Sequence, residues 1–363
     1  MSIDLEALMT VPRIVIKARL QPIAGTRFQP TGFPDLGPAT YTAPDETPNG
    51  TPTLLVESAQ SMANRLEAVC WDEEKEDVVP ELQGMPYIAV TLAGMPNPKD
   101  KTCSLLEFHR LNSPYIMSGT RADGKTFFQV VKDELGLKSS PKKKTEGDDG
   151  DSDKETDGVE GVINLRHLAK VCFRYDPNAL IHGVFLEKIA GRLRHPRALS
   201  AFIEASGVLR ADSGGVKFDR AMPAPKEGLN AKGGYGNVPF HRTEFTAQSI
   251  TAYFTLDLAQ IRGYCLGNDA TAFLTALSLW KVRRFLDVGL RLRTACDLEE
   301  HPDHPIKVYR PLDGFTLPSA ESLAKQLGEL LIQCKSLFAE PTITELIWTG
   351  DKAAPKKSKQ PKK

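Results

Sequence analysis

The sequence predicts an α+β fold in which helices cover one face of an antiparallel sheet. Short segments of alternating apolar and polar residues, typical of half-buried strands, recur along the chain. Amphipathic helical segments separate them, in the order strand, helix, strands, insertion, strand, helix, strand. That order suits a split β-α-β arrangement of the ferredoxin-like or RRM kind, and 363 residues are enough for a substantial core.

The first half of the chain begins with the clearest strand signal. Alternation predicts a strand over residues 13–20, with apolar side chains on one face and mostly basic ones on the other. An apolar stripe at helical spacing predicts a helix over residues 54–69. A strand over residues 87–93 and a short helix over residues 126–135 complete this half.

The second half is predicted to alternate between strands and helices in the same way. Strands are predicted over residues 180–185, 250–261, 290–296 and 342–348. Helices are predicted over residues 271–286 and 320–335. A Ser-Gly-Gly sequence at residues 213–215 predicts a turn.

Two charged segments are predicted to be disordered. Residues 138–160 contain eight acids and five lysines, and residues 351–363 contain six lysines and one acid. Neither segment can bury enough apolar surface to offset the entropy of ordering. Residues 1–137 and 161–300 are therefore predicted to form a single RRM-like domain with insertions, and residues 301–350 to add a helix and a strand packed on it.

Charge and cysteine content narrow the function classes. Lysine and arginine together number 46, as do aspartate and glutamate, but the two charged segments distort this balance, so the net charge says little about the folded surface. No apolar run is long enough for a membrane span, and the N-terminus lacks the apolar region of a signal peptide. Six cysteines without a C-x-x-C pair fit reduced thiols. We therefore expect a cytoplasmic protein that has no membrane partner.

Residues 119–126 match the phosphate-binding pattern G-x-x-x-x-G-K-[ST] of P-loop nucleotidases. They lie between a possible strand at residues 115–117 and a predicted helix, which is the context that a P-loop needs. However, the loop interior has no glycine to wrap a phosphate, and Asp123 would face the anion. A hairpin-like turn with an exposed Lys125 is therefore favoured, and a P-loop NTPase stays an alternative.

Dispersed histidines give little evidence for a metal site or a catalytic pair. His301 and His304 both precede proline, which excludes a regular helix, so a solvent-exposed loop is favoured over a metal site. His109 and His241 are each followed by arginine and could support acid–base cleavage of RNA. Nothing in the sequence brings them together, so a metal-independent ribonuclease is a second alternative, and no cofactor is predicted.

Basic residues cluster on two predicted strands and at the end of a helix. Residues 281–284 contain three cations at the end of the strongest helix. Arg291 and Arg293 lie two apart on the following strand and so share one face, as do Lys17 and Arg19 on the first strand. In a split β-α-β fold these two strands can be neighbours. We expect one basic sheet face that binds nucleic-acid phosphates, with nearby aromatic loops stacking on bases.

Five segments of the chain are similar to one known family. They are Val-Pro-Arg at residues 11–13 and longer matches at residues 25–37, 55–67, 109–114 and 290–298. These segments resemble the backbone subunit of the type I-G (formerly I-U) CRISPR Cascade, which is the Csb-one or Cas-seven group of the RAMP superfamily. The resemblance spans about residues 8–300 and leaves out the two charged segments.

The resemblance implies an RRM-like palm with an inserted finger region and a thumb hairpin or loop. It also implies a non-catalytic subunit, of which several copies bind head to tail along one CRISPR RNA together with other Cascade subunits. Guide segments left free would pair with target DNA, and guide processing would belong to other subunits. The Gly-rich segment at residues 231–238 is the candidate thumb or guide-contacting loop.

Twelve residues are predicted to contact the guide, because they lie at matched motif positions or in basic and polar clusters. They are Arg13, Lys17, Arg27, Gln60, Asn64, Arg65, His109, Arg110, His241, Arg242, Arg291 and Arg293. Gln60, Asn64 and Arg65 would form a polar helix patch that hydrogen-bonds phosphates or 2′-hydroxyls, with an ordinary solvated helix face as the equal alternative. No catalytic residue and no metal ligand is predicted.

Overall fold

In the computed structural model, the described residues are 8, 10–33, 36–44, 49–139, 159–160, 163–187, 189, 193–224, 227–228, 230–311 and 314–350. Most of the insertion predicted to be disordered, at residues 140–158, and the whole tail at residues 351–363 lie outside them. The described ends of the insertion, Lys138–Ser139 and Val159–Glu160, pair as two antiparallel strands. None of the described helices is long and apolar enough to cross a membrane.

The strands are numbered in chain order. In the first half they are β1 (Arg13–Pro22), β2 (Gly32–Phe33), β3 (Gly37–Pro38), β4 (Thr40–Ala43), β5 (Thr51–Glu57), β6 (Trp71–Asp72), β7 (Asp77–Val78), β8 (Tyr87–Thr91), β9 (Lys101–Cys103), β10 (Lys138–Ser139) and β11 (Val159–Glu160). In the second half they are β12 (Val184–Leu186), β13 (Leu193–His195), β14 (Leu199–Ser206), β15 (Leu209–Lys217), β16 (Val238–Thr246), β17 (Ser249–Asp257), β18 (Arg291–Arg293), β19 (Cys296–Glu300), β20 (Lys307–Arg310) and β21 (Ile343–Ile347).

The helices are numbered in the same way. They are α1 (Ala59–Ala68), α2 (Pro114–Met117), α3 (Phe127–Glu134), α4 (Leu165–Tyr175), α5 (Asn178–His182), α6 (Leu258–Gly263), α7 (Asn268–Val288) and α8 (Ala320–Cys334). Short 3-10 turns lie at Pro80–Leu82, Arg110–Asn112, Ala231–Gly233 and Lys335–Leu337.

An antiparallel sheet of eight strands forms the centre of the molecule, as the sequence predicts. Its order is β18-β19-β1-β17-β14-β5-β4, and β20 pairs with β1 on the same side as β19. Because β1 and β14 are both antiparallel to β17, they are parallel to each other. Strands β17 and β19 are both antiparallel to β1, so they are parallel to each other as well. Parallel strands need a long crossover, and α7 lies in the crossover from β17 to β19. A smaller sheet pairs β21 with β8 in parallel and β9 with β8 in antiparallel.

Alternation along the central strands separates a buried face from an uncovered one. Ile14 on β1 is fully buried, whereas Lys17 points to the other face and is half-buried. On β17, Phe254 is buried and meets Phe285 of α7 edge to face, with ring centroids 6.2 Å apart. The neighbouring Tyr253 is half-buried on the same side as Lys17. The helical layer therefore covers one face of the sheet and leaves the other available to a ligand.

A long hairpin of β15 and β16 connects β14 to β17. Its strands are nine residues each, and most of their side chains are exposed or half-exposed. The turn predicted at residues 213–215 is wrong, because these residues lie inside β15. Glycine is needed at Gly214, since a Cβ atom there would lie 2.4 Å from the carbonyl oxygen of Phe240 on β16.

The helix predicted over residues 54–69 begins only at Ala59. The residues before it form β5, and the side chain of Ser58 caps the helix by accepting a hydrogen bond from the backbone of Ser61. Leu54 and Val56 are fully buried. Their apolar run fits the buried side of a strand as well as a helical stripe, so periodicity alone could not separate the two.

Capping residues explain why two other observed element boundaries differ from the predicted ones. The possible strand at residues 115–117 is part of α2, which Ser113 caps and Pro114 begins. The strand predicted over residues 250–261 ends at Asp257, whose side chain caps α6. Caps are local side-chain hydrogen bonds, and they override the apolar pattern at these points.

Two segments predicted as single strands are divided in the structure. Residues 180–185 contain the end of α5 and the start of β12, and residues 290–296 contain β18, a turn and the first residue of β19. The predictions for β1, β8, α3, α7, α8 and β21 agree with the observed elements to within a few residues.

Candidate nucleic-acid interface

The uncovered side of the central sheet carries cations and aromatic rings, and we name this group the open face. Its members are Arg13, Lys17 and Arg19 of β1, Phe202 of β14, Tyr253 of β17, and Lys307, Tyr309 and Arg310 of β20. The register places Lys17 opposite Tyr253 on one side and opposite Lys307 on the other. Tyr253 is in turn opposite Phe202. Pairing of distant strands thus brings these side chains into one group.

Two tyrosines enclose a lysine at the centre of the open face. The ammonium of Lys17 lies 4.3 Å from the ring centroid of Tyr309 and 5.4 Å from that of Tyr253, within the range of cation–π attraction. The rings of Tyr253 and Phe202 stack with centroids 5.0 Å apart and an interplanar angle of 18°. A cavity of about 360 Å³ beside them is lined by Lys17, both tyrosines and Arg19.

Few carboxylates compensate the cations of the open face. Asp257 lies 3.5 Å from the guanidinium of Arg13. Glu204 accepts a hydrogen bond from the hydroxyl of Tyr41, and burial together with this carboxylate raises the pKa of Tyr41. In the part of the chain that the structure describes, the open-face cations without a carboxylate partner are Lys17, Arg19, Lys307 and Arg310. The open face therefore has an excess of positive charge.

The prediction of a basic sheet face is correct for β1, but the prediction that the strand of Arg291 and Arg293 lies beside β1 is wrong. Lys17 and Arg19 do share one face. However, β19 separates β18 from β1, and β20 supplies the additional cations through Lys307 and Arg310.

Arg65 and Arg293 bind a buried carboxylate. Glu57 has a side chain that is only 1% exposed; Arg293 donates a hydrogen bond to it, and the Nε atom of Arg65 lies 3.3 Å from it. Arg293 also donates to the carbonyl of Gln29 at 2.8 Å, and Arg65 donates to the carbonyl of Leu292 at 2.6 Å. Both arginines thus stabilise the contact among β5, α1 and β18, and contact of either one with a guide stays a prediction.

A second buried cluster removes Arg110 and Lys281 from the surface. Arg110 donates two hydrogen bonds of 2.6 Å to the carboxylate of Glu67, and both side chains are buried. Lys281 of α7 is fully buried and contacts Asn178 and His182. Burial and then the positive charge of Lys281 lower the pKa of His182 well below its usual value. Neither Arg110 nor Lys281 is therefore an exposed cation, and contact of Arg110 with a guide stays a prediction.

Gln60 and His109 lie at a second cavity, of about 670 Å³, which we name the arginine cavity. It is lined by Gln60, Phe108, His109, Arg110, His182, Gly183, Val184, Phe185, Arg194, His195, Pro196 and Arg197. Arg197 donates a hydrogen bond to the side-chain oxygen of Gln60. Asn64 lies one helical turn after Gln60 and is half-buried. The cavity thus brings together three of the twelve predicted residues.

Four other predicted residues lie on the hairpin, next to it or on an edge strand; these are Arg27, His241, Arg242 and Arg291. Arg27 lies 3.5 Å from Glu244, and His241 lies 3.3 Å from a carboxylate of β15. The guanidinium of Arg242 lies 5.7 Å from the ring centroid of Phe240. Arg291 is largely exposed, 3.9 Å from its nearest carboxylate. Guide contact by these four residues stays a prediction.

Sequence reasoning missed the aromatic part of the open face. The alternation that predicted β17 also places Tyr253 on its polar side, so this signal was present. Lys307 and Tyr309 lie two apart on β20 and also share a face. Four residues are too few for a confident strand, and their pairing with β1 is not local. Arg194 and Arg197 of the arginine cavity gave no recognisable motif.

Residues 119–126 lack the context of a P-loop. Helix α2 rather than a strand precedes them, and Thr126 uses its side chain to cap α3. The ammonium of Lys125 donates to Asp133 at 2.8 Å, and this hydrogen bond raises the pKa of the exposed lysine. Thr120 pairs with Thr126 across the turn. This geometry is the hairpin-like turn that the sequence favoured.

The described residues contain no group of three or more His, Cys, Asp or Glu side chains that could hold a metal ion. His301 and His304 lie between β19 and β20, where their rings meet edge to face at 4.5 Å. The loop position expected from the two flanking prolines is confirmed.

The sequence matches the profile of one protein family, described as CRISPR-associated protein GSU0053. The match covers residues 14–210, which is more than half of the chain. The matched segment includes β5, α1, β14 and all of β1 but its first residue, and therefore part of the open face and every lining residue of the arginine cavity. A search of curated proteins found no match.

Two solved structures show a weak similarity over most of the chain. A CRISPR RNA-guided surveillance complex in a pre-nicking state has a chain with 15% identity and a TM-score of 0.37, over 88% of this chain and 87% of that one. Csc2 of Thermofilum pendens has 10% identity and a TM-score of 0.30, over 93% of this chain and 81% of that one. Scores this low do not establish a shared fold.

Proposed function

The chain belongs to the family of CRISPR-associated protein GSU0053, and from that membership we propose that it is a backbone subunit of a CRISPR surveillance complex. In this role it binds the CRISPR RNA and performs no catalysis itself. We assign it to the type I-G Cascade, and to the Cas-seven group of the RAMP superfamily, on the five sequence segments that resemble this subunit. Its site of action would be the cytoplasm.

The observation that best supports RNA binding is the packing of Lys17 between two tyrosines on the open face. A cation beside exposed rings suits a single strand, because it neutralises a phosphate while the rings stack on the attached bases. Stacking tolerates every base, since each has a π face. Such a surface holds a guide of any sequence, which a complex programmed by different guides requires.

We propose that β1, β14, β17 and β19 form the RRM-like palm. In chain order they make a β-α-β-β-α-β unit, with helices between β1 and β14 and α7 between β17 and β19. The hairpin of β15 and β16, with the Gly-rich residues 231–238 between its strands, is the proposed thumb. The small sheet of β8, β9 and β21 is a candidate for the finger region.

Assembly follows from the same proposal. Several copies would bind head to tail along one guide, with the exposed hairpin of one copy reaching the next, and other Cascade subunits would bind at the ends. Guide segments between contacts would remain free to pair with target DNA. Electron microscopy of the chain co-expressed with a CRISPR array would test this: regular RNA-containing filaments are expected, and RNA-free monomers would contradict it.

Salt-dependent binding of a labelled guide RNA to the full chain tests the open face itself. Each phosphate contact with a single strand adds about 0.7 to the slope of log affinity against log salt. Lys17→Ala should therefore reduce that slope by about 0.7. Tyr309→Ala should weaken binding roughly 5- to 150-fold, the effect of losing about 1–3 kcal/mol from one stacked base.

Lys325→Ala is the matched control, because Lys325 is an exposed cation on α8, away from the open face. It should leave both the slope and the affinity unchanged. Equal effects of Lys17→Ala and Lys325→Ala would show that the open face is not the guide site. An affinity that is flat between low and moderate salt would contradict backbone binding altogether.

A further inference from the structure

The arginine cavity is cationic and shares no lining residue with the open face. None of the described residues that line it is acidic, whereas Arg194 and Arg197 both contribute a guanidinium. The third arginine of the lining, Arg110, is neutralised by Glu67. Arg194 and Arg197 have no carboxylate partner among the described residues. The charge of the cavity therefore favours an anion.

Three residues that line this cavity each carry a polar atom without a partner. Nδ1 of His182, Nε2 of His195 and Nε of Arg197 are all buried and have no hydrogen-bond partner among the described residues. His182 is only 1% exposed and His195 only 7%. Leaving a buried polar group unsatisfied costs about 1–3 kcal/mol. Three such atoms around one cavity are expected where a ligand completes the hydrogen bonds.

The protonation of His182 indicates which kind of ligand this is. Nζ of Lys281 lies 2.9 Å from Nε2 of His182. An ammonium can only donate, so Nε2 accepts and the proton of the neutral ring is on Nδ1. The unpartnered Nδ1 is therefore a donor without an acceptor, as is the Nε–H of Arg197. Both require an acceptor, and an anion provides the strongest one.

Aromatic side chains lie beside these donors. Phe108 lines the cavity and is 71% exposed. The guanidinium of Arg194 lies 4.5 Å from the ring centroid of Phe185, another lining residue, which holds that cation in place. An exposed ring next to anion donors fits a nucleotide, in which a base is attached to a phosphate through a sugar.

We propose that the arginine cavity is a second nucleic-acid site, which binds the phosphate of a nucleotide and stacks its base against Phe108. His182 and Arg197 donate to the phosphate oxygens, and Arg194 supplies a further charge. The choice of a nucleotide as the anion rests on the proposed function. The cavity lies at the end of the sheet where β14 begins. At this end, the backbone N–H of Asp257 donates a hydrogen bond to the carbonyl of Ala198, and the side chain of Asp257 pairs with Arg13.

The phosphate has two possible sources, which two small probes distinguish. Uridine 5′-monophosphate (pU) presents a terminal phosphate, like a free nucleotide or the end of an RNA, whereas the dinucleotide UpU presents only an internal phosphodiester. Binding of pU alone assigns the cavity to a strand end or a free nucleotide. Binding of UpU assigns it to an internal nucleotide of a strand. Either result supports the phosphate site.

The test uses the full chain labelled with ¹⁵N-histidine, titrated with sodium phosphate, pU and UpU. Signals of the two imidazoles are identified with His182→Gln and His195→Gln. We expect at least one nucleotide probe to shift both signals, and calorimetry to show about tenfold or greater weakening in Arg194→Ala and Arg197→Met. The control Lys325→Ala should bind like the wild type.

Arg194 is an exposed residue on β13, so its replacement should leave the fold intact, and unchanged melting temperatures verify this. Two results would overturn the proposal: neither pU nor UpU shifts either imidazole, or the shifts persist unchanged in both arginine variants. Guide affinity measured on the same samples separates the two proposals. A wild type that binds guide RNA but neither pU nor UpU refutes the cavity alone, and one that binds pU but no guide refutes the open face alone.

Discussion

Replacing Glu57 by glutamine should destabilise the fold and leave guide binding unchanged. The carboxylate is 1% exposed and is contacted by the guanidiniums of Arg65 and Arg293. Glutamine keeps the shape but removes the negative charge, so two partly buried cations face each other without compensation. Breaking a buried ion pair costs about 3–5 kcal/mol. The side chains of Arg65 and Arg293 remain 26% and 22% exposed, so water can solvate them, and we expect about 3 kcal/mol.

Urea denaturation of the wild type, Glu57→Gln, Arg293→Met and the double variant measures this cost. Because both changes disrupt one cluster, the double variant should lose clearly less stability than the sum of the single variants. Glu73→Gln, at an exposed acid, is the control and should change stability by no more than about 0.5 kcal/mol. If Glu57→Gln matches the control, the cluster does not stabilise the fold. If Arg293→Met is stable but binds guide RNA weakly, Arg293 contacts the guide after all.

The remaining predictions concern the second buried cluster, the loop that resembles a P-loop and a buried histidine. Arg110→Met should cost about 3–5 kcal/mol because it leaves the buried Glu67 carboxylate unpaired; a wild-type urea midpoint would contradict this. Calorimetry should detect no binding of magnesium ATP to the wild type or to Lys125→Ala. Binding by the wild type that the variant lacks would instead support a P-loop. Stability should fall as pH drops below about 6.5, because the unfolded chain takes up a proton that buried His182, with its lowered pKa, does not accept. His182→Gln should flatten this decline, and identical melting profiles across pH would refute the assignment.

Local patterns predicted the elements that local physics determines. In α7, the apolar side chains recur at helical spacing over about six turns, and β1 alternates without interruption, so both were recognisable from the sequence. Residues 54–57 show the limit, because their apolar run suits a strand or a helix. Ser58, the capping residue, decides the boundary, and serine alone is too common to predict a cap.

The site could be predicted only in part, because charge alone does not reveal the partners of a side chain. The side chains of β1 alternate between a buried and an uncovered face, and the sequence shows this alternation. It therefore indicates that Lys17 can reach a ligand. Lys281 and Arg293 have the same charge, but their partners lie 99 or more residues away in the chain. Such pairs form through tertiary packing, so the sequence did not distinguish a structural cation from a ligand-binding one.

Photo-cross-linking of the full chain to guide RNA containing 4-thiouridine, followed by mass spectrometry of the attached peptides, tests the central claim most directly. RNA over the open face should give adducts on the β17 and β20 peptides that contain Tyr253 and Tyr309, and a Lys17→Ala variant should give fewer. Adducts confined to other strands, with none on β1, β17 or β20, would contradict an RNA site on this side of the sheet.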